Sequence, residues 1–253
     1  NEEVNGIDIG TCFIFAKLDG TNASIFYDNE IKFGSRNREL SLDKDNANFM
    51  KTYIQDKRIQ NFFTDNKNLI LYGEFLVKHS IKDYQDTAWN KFYIFDVCEK
   101  ENDEIKRYLP YEEYQPLLEK YNLDYLSPQK IIKNPTYENL LVEMNNCNFL
   151  MKDGFLGEGI VIKNYSFINK YGRITWAKMV RNEFKEVHYK TIGTPIIENK
   201  LIEEKFLDVS LTTSLIEKTA AKIIINRQVD LWSTKFIPEL FKPFGQEEQG
   251  YTR

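Results

Sequence analysis

The sequence predicts an α+β fold, a strand-rich body followed by a helical C-terminal segment. Three observations carry this. Short apolar runs bounded by turn residues recur between Thr11 and Val180. Apolar residues at helical three-and-four spacing separate some of these runs and take over from Leu201 onward. Composition shifts near Thr194-Pro195, which divides the chain into a body, residues 1–194, and a helical segment, residues 195–253. Strands first and helices last favour segregated rather than alternating elements.

A chain of 253 residues suits one large domain, or one domain with a small appendage. Hydrophobic residues at 42% and aromatics at 14% are ample for a core. No apolar run reaches the length of a membrane span, and the N-terminus lacks the basic and apolar layout of a signal peptide. The expectation is therefore an intracellular, cytoplasmic protein with no membrane partner. Cys12, Cys98 and Cys147 are odd in number and far apart, as in a reduced chain without a disulfide frame. With only His79 and His188 beside them, they argue against structural zinc. Any metal should be a hard cation held by oxygen. The net charge of −4 does not announce a nucleic-acid binder. Yet Lys163 to Lys185 holds Lys163, Lys170, Arg173, Lys178, Arg181 and Lys185 against Glu183 alone, with Tyr165, Phe167, Tyr171 and Trp176 interleaved. A solvated face and a phosphate-facing surface fit this run equally well.

Taken in order, Thr11 to Leu18 is a strand that stops at an Asp19-Gly20 turn and carries Lys17 at its end. Ser24 to Tyr27 and Ile31 to Phe33 form a hairpin about Asp28-Asn29 and deliver Gly34-Ser35-Arg36-Asn37-Arg38. Residues 41–68 are polar with helical stretches, chiefly Asn46 to Gln55. Leu69 to Phe75 is a buried strand in which the period of two puts Ile70, Tyr72 and Glu74 on one face. Phe92 to Val97 is a further apolar strand ending near an acid. Leu109 to Tyr121 and Thr136 to Met151 are helical, the second burying Leu140, Leu141, Met144 and Cys147. Pro128 and Pro135 mark connections between them. Gly157 to Lys163 is a strand with Glu158 near its start, and Ile174 to Val180 is another that carries Lys178. Leu201 to Phe206, Ser214 to Asn226 and Lys235 to Phe241 are helices of the tail.

Lys17, Glu74, Glu158 and Lys178 thus stand at strand ends or starts, separated by hydrophobic strands. Lysine is a nucleophile only when neutral, and its unperturbed pKa is about 10.4. Burial or a nearby cation frees the lone pair. A divalent metal is such a cation, and Glu74 and Glu158 are suitable anchors for it. Attack by Lys17 on the α-phosphorus of a nucleoside triphosphate would give a lysyl–nucleotide and release pyrophosphate. Lys178 and Arg36 would balance the phosphate charge, and Phe95 would stack on the base. Singly, each is an ordinary strand-end charge or core ring; their joint order is what such readings explain badly.

These residues resemble the covalent lysyl nucleotidyltransferases, which comprise RNA ligases, DNA ligases and mRNA capping enzymes. The resemblance runs from about Phe15 to Glu186. Lys17-Leu18-Asp19-Gly20-Thr21-Asn22 looks like the nucleophile motif, with the Asn22 ending of the branch of phage RNA ligase 2 and the RNA-editing ligases. Ser35-Arg36 looks like the motif whose arginine contacts the nucleotide and the RNA end. Tyr72-Gly73-Glu74-Phe75 resembles the motif of the ribose-binding glutamate, and Phe92 to Val97 the strand whose phenylalanine, here Phe95, stacks on adenine. Glu158-Gly159-Ile160-Val161-Ile162-Lys163 is similar to the metal-site glutamate motif, and Lys178 with Phe184 and Glu186 to the last motif. That last motif often has a second basic residue two positions on, where this chain has Val180. Arg181 alongside would point to the other face.

The resemblance implies a nucleotidyltransferase body of ATP-grasp-like, antiparallel sheets. It implies ATP-dependent joining of a 3′-hydroxyl and a 5′-phosphate RNA end through lysyl-AMP, with Mg2+ or Mn2+. Lys17, Asp19 and Lys178 would be catalytic. Lys17, Asn22, Arg36, Glu74, Phe95, Glu158, Lys163 and Lys178 would bind the nucleotide, and Glu158 and Glu74 the metal. Residues 187–253 read as helices, not the five strands of the barrel that capping enzymes and most DNA ligases carry there. DNA ligase, guanylyltransferase and a non-catalytic nucleotide- or RNA-binding module are the alternatives. Trp232 to Phe244 packs onto the body or contributes to work on RNA.

Overall fold

The computed structural model describes residues 2–78, 81–102 and 104–181. Its strands are β1 (Thr11–Lys17), β2 (Thr21–Asp28), β3 (Glu30–Ser35), β4 (Leu69–Leu76), β5 (Lys91–Glu101), β6 (Glu104–Tyr108), β7 (Lys130–Lys133), β8 (Gly159–Lys163) and β9 (Ala177–Val180). Its helices are α1 (Phe49–Tyr53), α2 (Lys57–Asp65), α3 (Tyr111–Lys120) and α4 (Tyr137–Asn145). The strands form two antiparallel sheets, ordered β7-β1-β8-β9 and β3-β2-β4-β5-β6. This is the expected α+β body. No helix among the described residues is long and apolar enough to cross a membrane. The boundary expected near residue 194, the tail helices, His188 and Trp232 to Phe244 lie outside the described residues, as do Phe184, Glu186 and His79.

The first sheet has two unlike faces because side chains alternate along a strand. One face presents Cys12, Ile14, Ala16, Ile160 and Ile162, sealed by Cys147 and by half-buried Leu140, Met144 and Phe149. Leu140 and Met144 pack as the helical spacing predicts, but Leu141 is only half-buried and no residue of α4 is fully buried. The helix also ends at Asn145 instead of running to Met151. Asn145, Asn146 and Asn148 are poor helix formers that compete for backbone hydrogen bonds. At its start, Thr136 and Asn139 make a reciprocal capping box.

The other face presents Phe13, Phe15 and Lys17 of β1 opposite Lys163, Val161 and Gly159 of β8. Lys178 and Val180 of β9 pair with Val161 and Gly159 and so share that face. It is turned toward the second sheet. The Lys163 ammonium donates to Asp96 Oδ1 of β5 at 2.7 Å, and the Trp176 indole N–H to Asp96 Oδ2 at 3.1 Å.

Two strands were illegible in the sequence, β6 and β7, and both lie at sheet edges. Edge strands carry charge and need little apolar signal. Lys130-Ile131-Ile132-Lys133 between two prolines reads as a connection, and Ile131 is indeed 51% exposed. α1 is shorter than the predicted Asn46 to Gln55. The buried Asp45 carboxylate takes the N–H groups of Asn46, Met50 and Lys51, and Asn48 is left-handed at φ 63°, so helical geometry starts late.

Candidate active site

Lys17 is the last residue of β1, and the chain then crosses from the first sheet to the second through Leu18-Asp19-Gly20. Its ammonium lies 2.6 Å from Glu158 Oε2; the lysine side chain is 22% exposed and the glutamate 3%. Glu158 precedes Gly159, the register partner of Lys17. A nucleophile on one strand end and a carboxylate entering the next are therefore brought together by sheet pairing alone.

The crossing turn is clamped. The Gly20 N–H donates to Glu74 Oε1 at 2.9 Å. A Cβ on Gly20 would lie 2.7 Å from both Glu74 Cγ and the Phe75 carbonyl oxygen, so only glycine lets the turn rest on β4. Asn22 is opposite Glu74 in the register of β2 and β4 and shares its face. Asp19 is buried; its Oδ2 accepts the Ile81 N–H at 3.1 Å, and its own N–H donates to the Tyr84 hydroxyl at 3.0 Å. One oxygen of its carboxylate is thus tied to the backbone at Ile81. Burial pushes the Tyr84 hydroxyl well above its ordinary range, so it stays a neutral phenol.

Phe95 owes its position to a β-bulge. Pairing of β4 with β5 jumps from Tyr72↔Asp96 to Gly73↔Ile94, which leaves Phe95 as the extra residue. A bulge re-aims a side chain and breaks the alternation of two. Beneath it, Lys163 is buried with its ammonium donating to Asp96 and to the Phe95 carbonyl, ringed by Phe15, Phe95 and Trp176 at 4.8, 5.5 and 5.4 Å. Loss of hydration lowers its pKa and the Asp96 carboxylate opposes that shift. Lys163, expected at the nucleotide, is committed to this inter-sheet pair, where it fixes Phe95.

Arg36 is exposed at the tip of a tight hairpin. The Ser35 N–H donates to the Arg38 carbonyl at 2.9 Å, and the Arg38 guanidinium folds back onto the carbonyls of Lys44 and Asp45. Lys178 stands on the same face as Lys17. Its pKa is lowered by lost hydration, then by the cations Lys17 and Arg36, against the pull of Glu74 and Glu158. Four charged groups from four separate stretches of sequence, Lys17, Arg36, Glu74 and Glu158, therefore act on Lys178. Val180 is paired with Gly159, which is paired in turn with Lys17, so an apolar side chain shares the lysine's face two strands away.

The sequence reading missed Tyr84, Asp96 and Trp176 as site-building residues. Asp96 carried a usable signal, because a carboxylate inside an apolar strand demands a buried partner. Tyr84 carried none; its contact spans 65 residues. Of the interleaved aromatics, Tyr165 and Trp176 pack inward against Phe13 and Tyr108.

A family model described as RNA ligase matches residues 10–180. No curated protein matches significantly. Among solved structures, an apo variant of Naegleria gruberi RNA ligase is similar at TM-score 0.56 and 23% identity, over 72% of this chain and 52% of that one. The same ligase with pyrophosphate gives 0.55 and 24%, over 72% and 53%. A variant with AMP and manganese gives 0.57 and 21%, over 72% and 52%. The chain spans about half the length of these structures, and at such identities the likeness establishes the fold alone. The family model covers most of the chain and every described site residue from Lys17 to Lys178, and the chain belongs to the RNA ligase family.

Proposed function

We propose that this protein is an ATP-dependent RNA ligase acting through lysyl-AMP. The observation that carries the reading is the Lys17–Glu158 pair at the crossing between the sheets, faced by Lys178 and Arg36. The N. gruberi ligase structures with ATP and manganese, and with AMP and manganese, support the choice of nucleotide and ion.

In the first step, neutral Lys17 attacks the α-phosphorus; an N–P bond forms and the bond to pyrophosphate breaks. Glu158, whose Oε2 lies 2.6 Å from the lysine nitrogen, is in reach of its proton. In the second step, an oxygen of the RNA 5′-phosphate attacks the same phosphorus, the N–P bond breaks, and Lys17 leaves as an amine that takes up a proton. In the third, the 3′-hydroxyl attacks the 5′-phosphorus and gives up its proton to solvent, and AMP departs. Arg36 and Lys178 hold the phosphates, where charge stabilisation does most of the work in such reactions. Phe95 stacks on adenine, with Lys163 and Asp96 fixing it. Asn22 and Glu74 line the sugar side of the site. Asp19 shapes the turn that aims Lys17.

Glu158 and Glu74 are hard oxygen donors, and no cluster of three or more His, Cys, Asp or Glu residues that could hold a metal exists among the described residues. That donor set fits Mg2+ or Mn2+, which bind one or two carboxylates and complete their shell with phosphate oxygens and water. Bound there, the ion supplies positive charge that favours neutral lysine and offsets the phosphates.

Two variants grade the assignment. Lys178→Ala should slow self-adenylylation by about 100-fold or more, the cost of one preorganised donor to a developing charge. A loss of less than about threefold would remove Lys178 from the phosphate site. Tyr84→Phe keeps the ring and removes the acceptor for the Asp19 N–H, at about 1–3 kcal/mol of stability. Because small misplacements of a reacting group are costly, its adenylylation should fall by roughly 10- to 100-fold while KM for ATP holds. The function itself is tested by supplying 5′-phosphate and 3′-hydroxyl RNA ends, ATP and Mg2+. Adenylylated RNA followed by joined product supports it; a lysyl-AMP that no RNA end discharges would sink it.

A further inference from the structure

The connection between β8 and β9, residues 164–176, carries a surface that the chemistry at Lys17 does not use. Its middle is a small rigid frame built on Asn169, which is buried. Asn169 Oδ1 accepts the N–H groups of Tyr171 and Arg173 at 2.9 and 3.0 Å. The Asn169 N–H donates to the Arg173 carbonyl, and the Gly172 N–H to the Asn169 carbonyl, both at 2.9 Å. Gly172 sits at φ 74°, the left-handed region that glycine enters without penalty.

This frame holds outward what a folded surface ordinarily avoids. Ile168 is 64% exposed and Tyr171 59%, flanked by exposed Lys170 and Arg173. The Lys170 ammonium lies 5.1 Å from the centre of the Tyr171 ring. No acid occurs from Gly159 to Asn182, whereas Lys163, Lys170, Arg173, Lys178 and Arg181 all do, in a chain of net charge −4. Lys163 is paired with Asp96 and Lys178 faces the lysine site; Lys170 and Arg173 are the exposed cations of this loop. A preordered aromatic face between cations, with no carboxylate in the loop, matches a polyanion that offers flat rings. Unpaired bases stack on such a ring whatever their identity, and their phosphates meet the cations.

The loop also lies at a definite remove from the chemistry. Gly159 is level with Lys17, and β8 runs on to Lys163 before the loop begins. Four residues of strand span roughly 13 Å. Stacked nucleotides rise roughly 3.4 Å each, so a stacked strand covers this distance with about four nucleotides.

We propose that Lys170, Tyr171 and Arg173 form a second RNA contact, which grips a stacked, unpaired stretch of the strand about four nucleotides from the end being joined. The proposal rests on the RNA-joining reading and assigns that substrate a preferred length. All three side chains are on the surface, so the triple variant Lys170→Ala/Tyr171→Ala/Arg173→Ala should fold.

The experiment uses the whole chain and two single-stranded 5′-phosphate RNAs, one of about three and one of about twelve nucleotides beyond the joined phosphate. Self-adenylylation from labelled ATP should be unchanged in the triple variant. KM for the long RNA should rise about tenfold or more with kcat held, as expected for lost stacking and phosphate contacts. KM for the short RNA should not move, and Tyr171→Phe, which keeps the ring, should match the wild type on both. Equal KM values for wild type and triple variant on the long RNA would overturn the proposal, as would an equal rise on both RNAs. If wild-type protein forms lysyl-AMP yet joins neither RNA, the RNA-joining reading itself fails and takes this contact with it.

Discussion

Asp96→Asn should destabilise the body by about 3–5 kcal/mol, the range for leaving one member of a buried ion pair without its partner. Asp96 is the point where the sheets are tied, taking the Lys163 ammonium on one oxygen and the Trp176 indole on the other. Without its charge, Lys163 must lose its proton inside the protein or pull in water, and the inter-sheet contact at Phe95 opens. The double variant Asp96→Asn/Lys163→Met removes the stranded charge and should recover most of the loss, since an apolar replacement of a buried pair is often close to neutral. Urea unfolding followed by circular dichroism measures both. A single-variant loss below about 1 kcal/mol would mean that the pair is not buried as described.

The same pair sets a pH signature. Burial holds the Lys163 pKa below its ordinary 10.5 in the folded chain. Between the folded and unfolded values the unfolded chain binds more protons, so stability rises with pH across that window. Asp96→Asn removes the counter-charge that opposes the lowering. Its window therefore reaches further down in pH, and its stability should gain more on going from neutral to alkaline conditions than that of the wild type.

Lys17→Ala should abolish formation of the protein–nucleotide adduct altogether, since Lys17 supplies the amine paired with Glu158. Joining of an RNA that is already adenylylated should survive at least in part. Arg36, Glu158 and Lys178 remain in place, and the third step needs no amine. This separation is the sharpest mechanistic signature of the reading. An adduct in Lys17→Ala would move the nucleophile elsewhere, and equal loss of both activities would mean that Lys17 also serves the final step.

The parts of the site that were legible in the sequence are those whose geometry is local. Lys17 before Asp19-Gly20 had to end a strand, and Glu158 before Gly159 had to begin one. Sheet pairing then did the rest. Glu74 and Tyr72 were correctly placed by the period of two because β4 keeps its register with β2. The same rule says nothing of Phe95, where the bulge interrupts alternation. Lys163 illustrates another limit. A lysine at the end of an apolar strand invites a ligand reading, and only a carboxylate 67 residues away reveals that it is an internal tie. The edge strands β6 and β7 escaped notice because edges are polar by necessity. Tyr84 escaped because a tyrosine in a polar segment gives no sign that its hydroxyl anchors the turn after the nucleophile. The basic and aromatic run divides along the chain. Lys163 is interior with half-buried Tyr165 and Trp176 around it, whereas Ile168, Lys170, Tyr171 and Arg173 are surface.

The measurement that bears most directly on the account is the location of the covalent nucleotide. Protein incubated with Mg2+ and α-labelled ATP, or α-labelled GTP, is denatured, digested and mapped by mass spectrometry. The account predicts one AMP on the peptide containing Lys17, formed from ATP, stable to base and labile to acid. GMP on Lys17, AMP on any other residue, or no adduct from well-folded protein would contradict it.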